Sequence, residues 1–139
     1  MTTKFSSLVK LKKNKMQKSE ELLQKANIDL NSATKALEES YSFLGDFEEP
    51  QSGSISQLIA SKTLLSAQRD VIEHNKSWID FAQNQVRVAK QQLKTDMIEY
   101  EKFKYLETQE IKKMLDAKRV QEMKDLDEIA LITFGKNKF

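Results

Sequence analysis

Apolar residues recur along most of this chain at alternating intervals of three and four positions, which places them on one face of an α-helix. Before residue 49 the line, with two polar interruptions, follows Phe5, Val9, Lys12, Met16, Ser19, Leu23, Ala26, Leu30, Ala33, Leu37, Tyr41 and Leu44. After residue 54 a second line follows Leu58, Leu65, Gln68, Ile72, Asn75, Ile79, Ala82, Val86, Ala89 and Leu93. This is the heptad spacing of a coiled-coil seam. The pattern predicts two long helices, at about residues 4–48 and 55–134.

Residues 49–54 are the one stretch of the sequence that looks like a turn, because they hold the single proline and Gly53 among serines. Ser54 and Gln57 have the spacing of a capping box, in which each side chain bonds the other residue's backbone N–H. Gly135 fits the glycine that often follows the last helical residue. We therefore predict an all-α fold, an antiparallel coiled-coil hairpin that forms one domain over residues 1–139.

The two predicted helices differ greatly in length. Counting outward from the turn predicts a register with Leu44 near Leu58, Leu30 near Ile72, Leu23 near Ile79 and Phe5 near Met97. The second helix then overhangs the first by roughly 35 residues, or about 50 Å. Since a lone helix has little surface to bury, the overhang indicates a partner.

The amino-acid composition excludes several classes of protein and of binding site. Charged residues make up 32% of the chain, Gly and Pro together are four residues and cysteine is absent, so disulfides and thiolate metal sites are excluded. No apolar run approaches the roughly 18 residues of a membrane span, and we expect a soluble, cytoplasmic protein.

Charge is unevenly distributed along the chain. Residues 1–18 carry six lysines and no acid, whereas residues 19–50 carry eight acids and two lysines. The basic stretch lacks the interleaved aromatics typical of nucleic-acid binding.

No pattern of enzyme chemistry is present in the sequence. The single histidine, His74, lies among polar neighbours and is read as a surface residue, and the adjacent acids diverge on a helix. We predict no catalytic, cofactor or metal site.

Trp78 continues a second line of apolar residues with Leu64 and Val71. These residues either broaden the contact between the two helices or are exposed and bind a partner. The apolar cluster around Tyr41 at the turn end favours partner binding.

Two segments stand out, FSSLVKLK at residues 5–12 and EMKDLDEIA at residues 122–130. Both resemble the flagellar export protein FliJ family. With the chain length, the turn position and the lack of cysteine, the resemblance spans essentially the whole chain. It implies a soluble, non-enzymatic component of the flagellar type III export apparatus, needed for flagellum assembly and motility. The family is similar to the central stalk, or gamma subunit, of rotary ATPases.

The resemblance further implies that the two ends of the hairpin bind different partners. The paired termini are expected to enter the ring of the export ATPase and promote its assembly and activity. The turn end is expected to contact the export gate protein FlhA, and export chaperones are further partners, so that the chain is held at the inner face of the cell membrane through the apparatus. Carried over to this sequence, the ATPase-binding positions are Lys10, Lys12, Lys13, Lys15, Arg119, Lys124 and Asp125. The gate-binding positions are Leu37, Tyr41, Leu44, Leu58, Leu65 and Ile72.

Two other interpretations remain open at this point. In one, the chain is a self-associating structural coiled coil in which residues 100–132 pair with a second copy, whereas the stalk is a monomer in isolation. In the other, it is an export chaperone or adaptor that binds a client helix along the line from Leu64 to Trp78. The resemblance also leaves open an injection-type secretion system in place of a flagellar one.

Overall fold

The computed structural model describes residues 2–48 and 53–137. It contains two helices, α1 over Ser6–Asp46 and α2 over Ile55–Asn137, of 41 and 83 residues. The prediction of an all-α fold built from two long, mutually packed helices is confirmed. Residues 49–52 of the predicted turn lie outside the described residues. The helices contribute to two compact units, residues 17–95 and residues 1–16 with 96–139.

The capping box predicted at the start of α2 is confirmed. The backbone N–H of Ser54 donates to Gln57 Oε1 and the N–H of Gln57 donates to Ser54 Oγ, both at 3.2 Å. Gly53 adopts φ +156°, and a Cβ at that position would meet the Gln57 side chain that closes the box. The predicted cap at Gly135 is wrong, because α2 continues through it to Asn137. A helix can pass through glycine, at a cost of about 1 kcal/mol relative to alanine.

In the unit of residues 17–95 the seam follows the three-and-four alternation more strictly than the apolar pattern did. The buried positions on α1 include Ala26, Ala33 and Ser40. The apolar line departs from this alternation where it includes the aromatic Tyr41, but Tyr41 is 48% exposed and Ser40 is buried in the seam instead. Leu58, predicted to begin the seam of α2, is exposed as well. Position in the heptad therefore decides burial here, ahead of side-chain polarity.

The predicted register is wrong in this unit. It placed Asn75 near Asn27, whereas the Asn75 side-chain amide donates to the carbonyl of Ala36 at 3.2 Å and to the hydroxyl of Ser40. Gln68 likewise donates to the carbonyl of Ser40 at 3.1 Å. The cause lies at the start of α2, where residues 55–60 are all exposed and Ser61 is the first partly buried position. The residues of α1 that face Asn75 are thus displaced by nine to thirteen positions, more than two turns, from the predicted one.

The unit of residues 1–16 and 96–139 shows the same shift. Asp96 is only 2% exposed, while the neighbouring Met97, predicted to face Phe5, is exposed. Partly buried positions continue along α2 as far as Ile111, and every residue from 112 to 134 is exposed. The predicted exposed length of helix is therefore present, but it spans 23 residues instead of about 35. Among the described residues, no helix has the length and apolar character needed to cross a membrane.

Ala33 is fully buried at the seam, so a larger side chain there must push the helices apart. We expect Ala33→Leu to lower the free energy of unfolding by about 1–3 kcal/mol, measured by chemical denaturation followed by circular dichroism. Ala67→Leu, on the exposed surface of the same unit, is the matched control and should change stability by less than about 0.5 kcal/mol. Equal effects of the two substitutions would contradict close packing at Ala33.

Candidate interaction surfaces

The four lysines predicted to bind an ATPase divide into two pairs. Lys12 and Lys15 face α2: their Nζ atoms lie 3.7 Å from Glu99 Oε2 and 3.7 Å from Asp96 Oδ1, respectively. Lys12 Nζ also lies 5.6 Å from the centre of the Phe103 ring, within cation–π range. Because Asp96 is buried, its ion pair with Lys15 compensates a charge that would otherwise be costly in the seam. These two lysines therefore stabilise the hairpin.

Lys10 and Lys13 form the second pair, and both are exposed. They are three positions apart, so they share one face of α1. Neither makes a salt bridge with another of the described residues. Their charges are available to a partner, and their role in binding one stays a prediction.

The other three predicted ATPase-binding residues, Arg119, Lys124 and Asp125, are exposed on α2. The carboxylate of Asp125 accepts a hydrogen bond from the side chain of Gln121 at 3.0 Å. Arg119 lies 23 positions beyond Asp96, about 35 Å along the helix. The structure therefore places the predicted residues in two patches of this unit instead of one.

We name residues 112–132 the exposed segment. Eight large apolar side chains lie on it, all exposed: Met114, Leu115, Val120, Met123, Leu126, Ile129, Leu131 and Ile132. At 100° per residue they point in many directions around the helix. A one-sided contact would leave several of them in water. Sequence reasoning recognised this spread but could not tell how much of it the first helix covers.

The residues predicted to bind an export gate differ in how much surface they present. Ile72 is only 5% exposed, and Leu37, Leu44 and Leu65 are partly buried. Tyr41 and Leu58 are exposed, at 48% and 42%. Three further apolar residues near the turn are also exposed: Phe43, Ile55 and Ile59. Phe43 and Ile59 belong to the apolar cluster predicted to bind a partner at the turn end, whereas Ile55 was missed because it lies outside that cluster and outside the heptad lines. None of these roles in binding is tested by the structure, and they stay predictions.

A shallow groove runs along one face of the unit of residues 17–95. Its walls include the exposed apolar side chains Leu22, Phe81 and Val88, and the small residues Ala26 and Ala89 lie between them. The line from Leu64 through Val71 to Trp78 is also exposed. Leu64, Val71 and Trp78 keep 46%, 44% and 37% of their surface exposed, so part of this line is accessible to a partner.

Tyr41 also contacts a charged side chain of α2. A hydrogen bond to Tyr41, followed by one to the Glu73 carboxylate 3.3 Å away, raises the pKa of Lys76 above its usual value. Lys76 is exposed, so solvent screens both interactions. Among the described residues there is no group of three or more histidines and carboxylates that could hold a metal ion.

Comparison with known proteins decides the family. The family model described as "Flagellar FliJ protein" matches residues 1–139, which is the whole chain. The chain belongs to the FliJ family. This confirms the resemblance noted from the sequence and makes the protein a component of the flagellar export apparatus. Neither the search of curated proteins nor that of solved structures returned a match.

The raised pKa of Lys76 leads to a prediction about its partners. Tyr41→Phe should lower the pKa of Lys76 toward its usual value by more than Glu73→Gln does, because Tyr41 is the larger cause. The Lys76 ammonium resonance followed by NMR across the alkaline range measures both. A folded pKa raised above the unfolded one stabilises the fold at lower pH, and this contribution is lost as the pH rises through the raised pKa. A larger effect of Glu73→Gln would contradict the assignment.

Proposed function

We propose that this FliJ-family protein is a stalk of the flagellar type III export apparatus. Its termini bind the ring of the export ATPase and promote ring assembly and activity, and its turn end contacts the export gate protein FlhA. The observation that carries the proposal is the exposed segment. A helix with large apolar residues on all sides is best covered by a partner that surrounds it, and the inside of a ring does so.

The charges of the same unit support this proposal. Lys10 and Lys13 are exposed, and no described residue neutralises them by a salt bridge. A basic pair of this kind attracts an acidic partner surface over roughly a Debye length and raises the rate of association. Lys12 and Lys15 stabilise the hairpin on which that pair is carried. The four lysines of the predicted set thus combine two that are proposed to bind the ring and two that support them.

The protein itself performs no chemistry in this proposal. A stalk alters the activity of a ring only through binding free energy that differs between the ring's conformations. The seam makes each helix pair stiff, so that a change at the ring-binding end is passed on along the helices. Contacts with the gate protein then hold the chain at the inner face of the cell membrane, although the chain itself stays outside the bilayer.

Export chaperones are the third class of partner in this proposal. The groove beside Phe81 and the exposed Trp78 line offer an apolar surface of the kind on which an amphipathic helix docks. This surface lies in the unit of residues 17–95, separate from the exposed segment. A chaperone helix bound there leaves the segment proposed to enter the ring uncovered.

The ATPase-binding role is tested by shortening apolar side chains on the exposed segment. We expect the double substitution Leu126→Ala and Ile129→Ala to raise the concentration needed for half-maximal stimulation of the purified export ATPase. Each leucine or isoleucine that becomes fully buried contributes about 1.5–3 kcal/mol, most of which alanine loses, so the two substitutions together should shift this concentration by about 100-fold or more. Stimulation of ATP hydrolysis is measured by phosphate release.

The control for that experiment is the pair Leu22→Ala and Ile28→Ala. All four side chains are exposed to the same extent, between 59 and 65%, and all four lie on helices. The control pair should stimulate like the unaltered chain. Equal loss of stimulation in both variants, or no loss in either, would contradict binding through the exposed segment.

The gate-binding role is tested at Tyr41, the most exposed of the aromatic or aliphatic positions predicted for it. We expect Tyr41→Ala to weaken binding to the purified cytoplasmic part of the gate protein by about tenfold, since a buried aromatic anchor commonly contributes 1–2 kcal/mol or more. Tyr105→Ala is the matched control, because Tyr105 is also exposed but lies in the other unit. Unchanged affinity of Tyr41→Ala, measured by titration calorimetry, would remove Tyr41 from the gate surface.

A further inference from the structure

We propose that, in the absence of other partners, the exposed segment pairs antiparallel with the same segment of a second copy of the chain. The segment is a continuous part of α2 and is about 30 Å long. All its side chains are exposed, including eight large apolar ones. Its ten charged residues form no salt bridge within the described part of the chain. Apolar surface and uncommitted charge therefore occur together on it.

Charge is divided between the two halves of the exposed segment. Residues 112–119 carry four bases and one acid, namely Lys112, Lys113, Lys118 and Arg119 with Asp116. Residues 120–129 carry four acids and one base, namely Glu122, Asp125, Asp127 and Glu128 with Lys124. The two halves are thus equal in length to within two residues and opposite in net charge.

This division selects both the partner and the orientation. In a parallel pair the basic half of one copy would lie beside the basic half of the other, which is repulsive. In an antiparallel pair centred near Gln121, each basic half lies beside an acidic half, with Lys113 level with Glu128 and Arg119 level with Glu122. Antiparallel helices also bring opposite ends of their dipoles together. The segment is therefore complementary to itself in one orientation.

The symmetry of such a pair closes the assembly at two copies. Each copy offers the same face to the other, which is an isologous contact with a two-fold axis, so that the contacting face of each copy is occupied by its partner. The pair covers part of the apolar surface that the proposed function assigns to the ATPase ring. That consequence rests on the proposed function: pairing and ring binding exclude each other. The pairing itself does not rest on it, and it replaces the expectation from the sequence that the stalk is a monomer in isolation.

Sedimentation equilibrium of the full-length chain tests the pairing. We expect the average mass to rise with concentration from one chain, 16.1 kDa, toward twice that value, and to fall again at high salt. Reversing the basic half should give a monomer, and so should reversing the acidic half. The first variant carries Lys112→Glu, Lys113→Glu, Lys118→Glu and Arg119→Glu. The second carries Glu122→Lys, Asp125→Lys, Asp127→Lys and Glu128→Lys.

The controls use the same substitutions in combination. The variant with all eight reversals restores opposite halves and should dimerise again, and a mixture of the two single-half variants should form mixed dimers. Circular dichroism shows that each variant keeps its helix content. A mass that stays at one chain up to about 1 mM overturns the proposal. So does a dimer that survives reversal of one half.

Orientation is measured by disulfide cross-linking, because the chain has no cysteine of its own. Lys113→Cys and Glu128→Cys are made in separate chains. Antiparallel pairing predicts a disulfide when the two variants are mixed and none when either is oxidised alone, since the matching positions of a pair then lie about 22 Å apart along the helix. Cross-linking of each variant with itself would show a parallel pair and overturn the proposal.

Discussion

Contact across a narrow seam is the interaction on which the rest of this structure depends. Two helices meet along residues that alternate by three and four, and the buried apolar residues are few and mostly small: Val9, Ala26, Ala33, Ile72, Ala82 and Val86. Small side chains let the helix backbones approach closely, which compensates in part for the lack of a deep core. Polar residues that fall on the seam must then find partners there. Asn75 does so by donating to the carbonyl of Ala36 and the hydroxyl of Ser40.

A seam one layer deep leaves most of each helix in water, and this explains why candidate binding surfaces are so extensive. Leu22, Phe81 and Trp78 are exposed although they lie beside the seam. On the exposed segment there is no seam at all, and leucine and isoleucine side chains such as Leu126 and Ile129 face solvent. Because these side chains stay in water, they add little to the stability of the isolated chain. They gain free energy only on binding, which fits a family whose members work within a protein export apparatus.

Part of the candidate surface could be read from the sequence, and part could not. The basic stretch and the exposed length of α2 follow from composition and from the unequal helices. The sequence does not show which lysines are available to bind a partner. Lys12 and Lys15 form ion pairs with Glu99 and Asp96 across the seam, whereas Lys10 and Lys13 form none with described residues. The neighbouring positions differ only in their angle around the helix, and that angle has meaning only once the second helix is placed. The same holds at the turn end, where Ile72 is covered and Tyr41 is not.

The sequence by itself determined the two helices, the capping box of α2, the seam and the family, because each follows from local spacing or from residues that recur in one protein family. The tertiary structure decided the register. A heptad pattern repeats, so sliding one helix by seven residues still brings seam onto seam, and apolar contacts alone do not distinguish the alternatives. Polar contacts do, since the Asn75 amide needs Ala36 and Ser40, and Lys15 needs Asp96. Ser40 and Asp96 lie in the seam for the same reason: their angle on the helix outweighs their polarity once a partner is within reach.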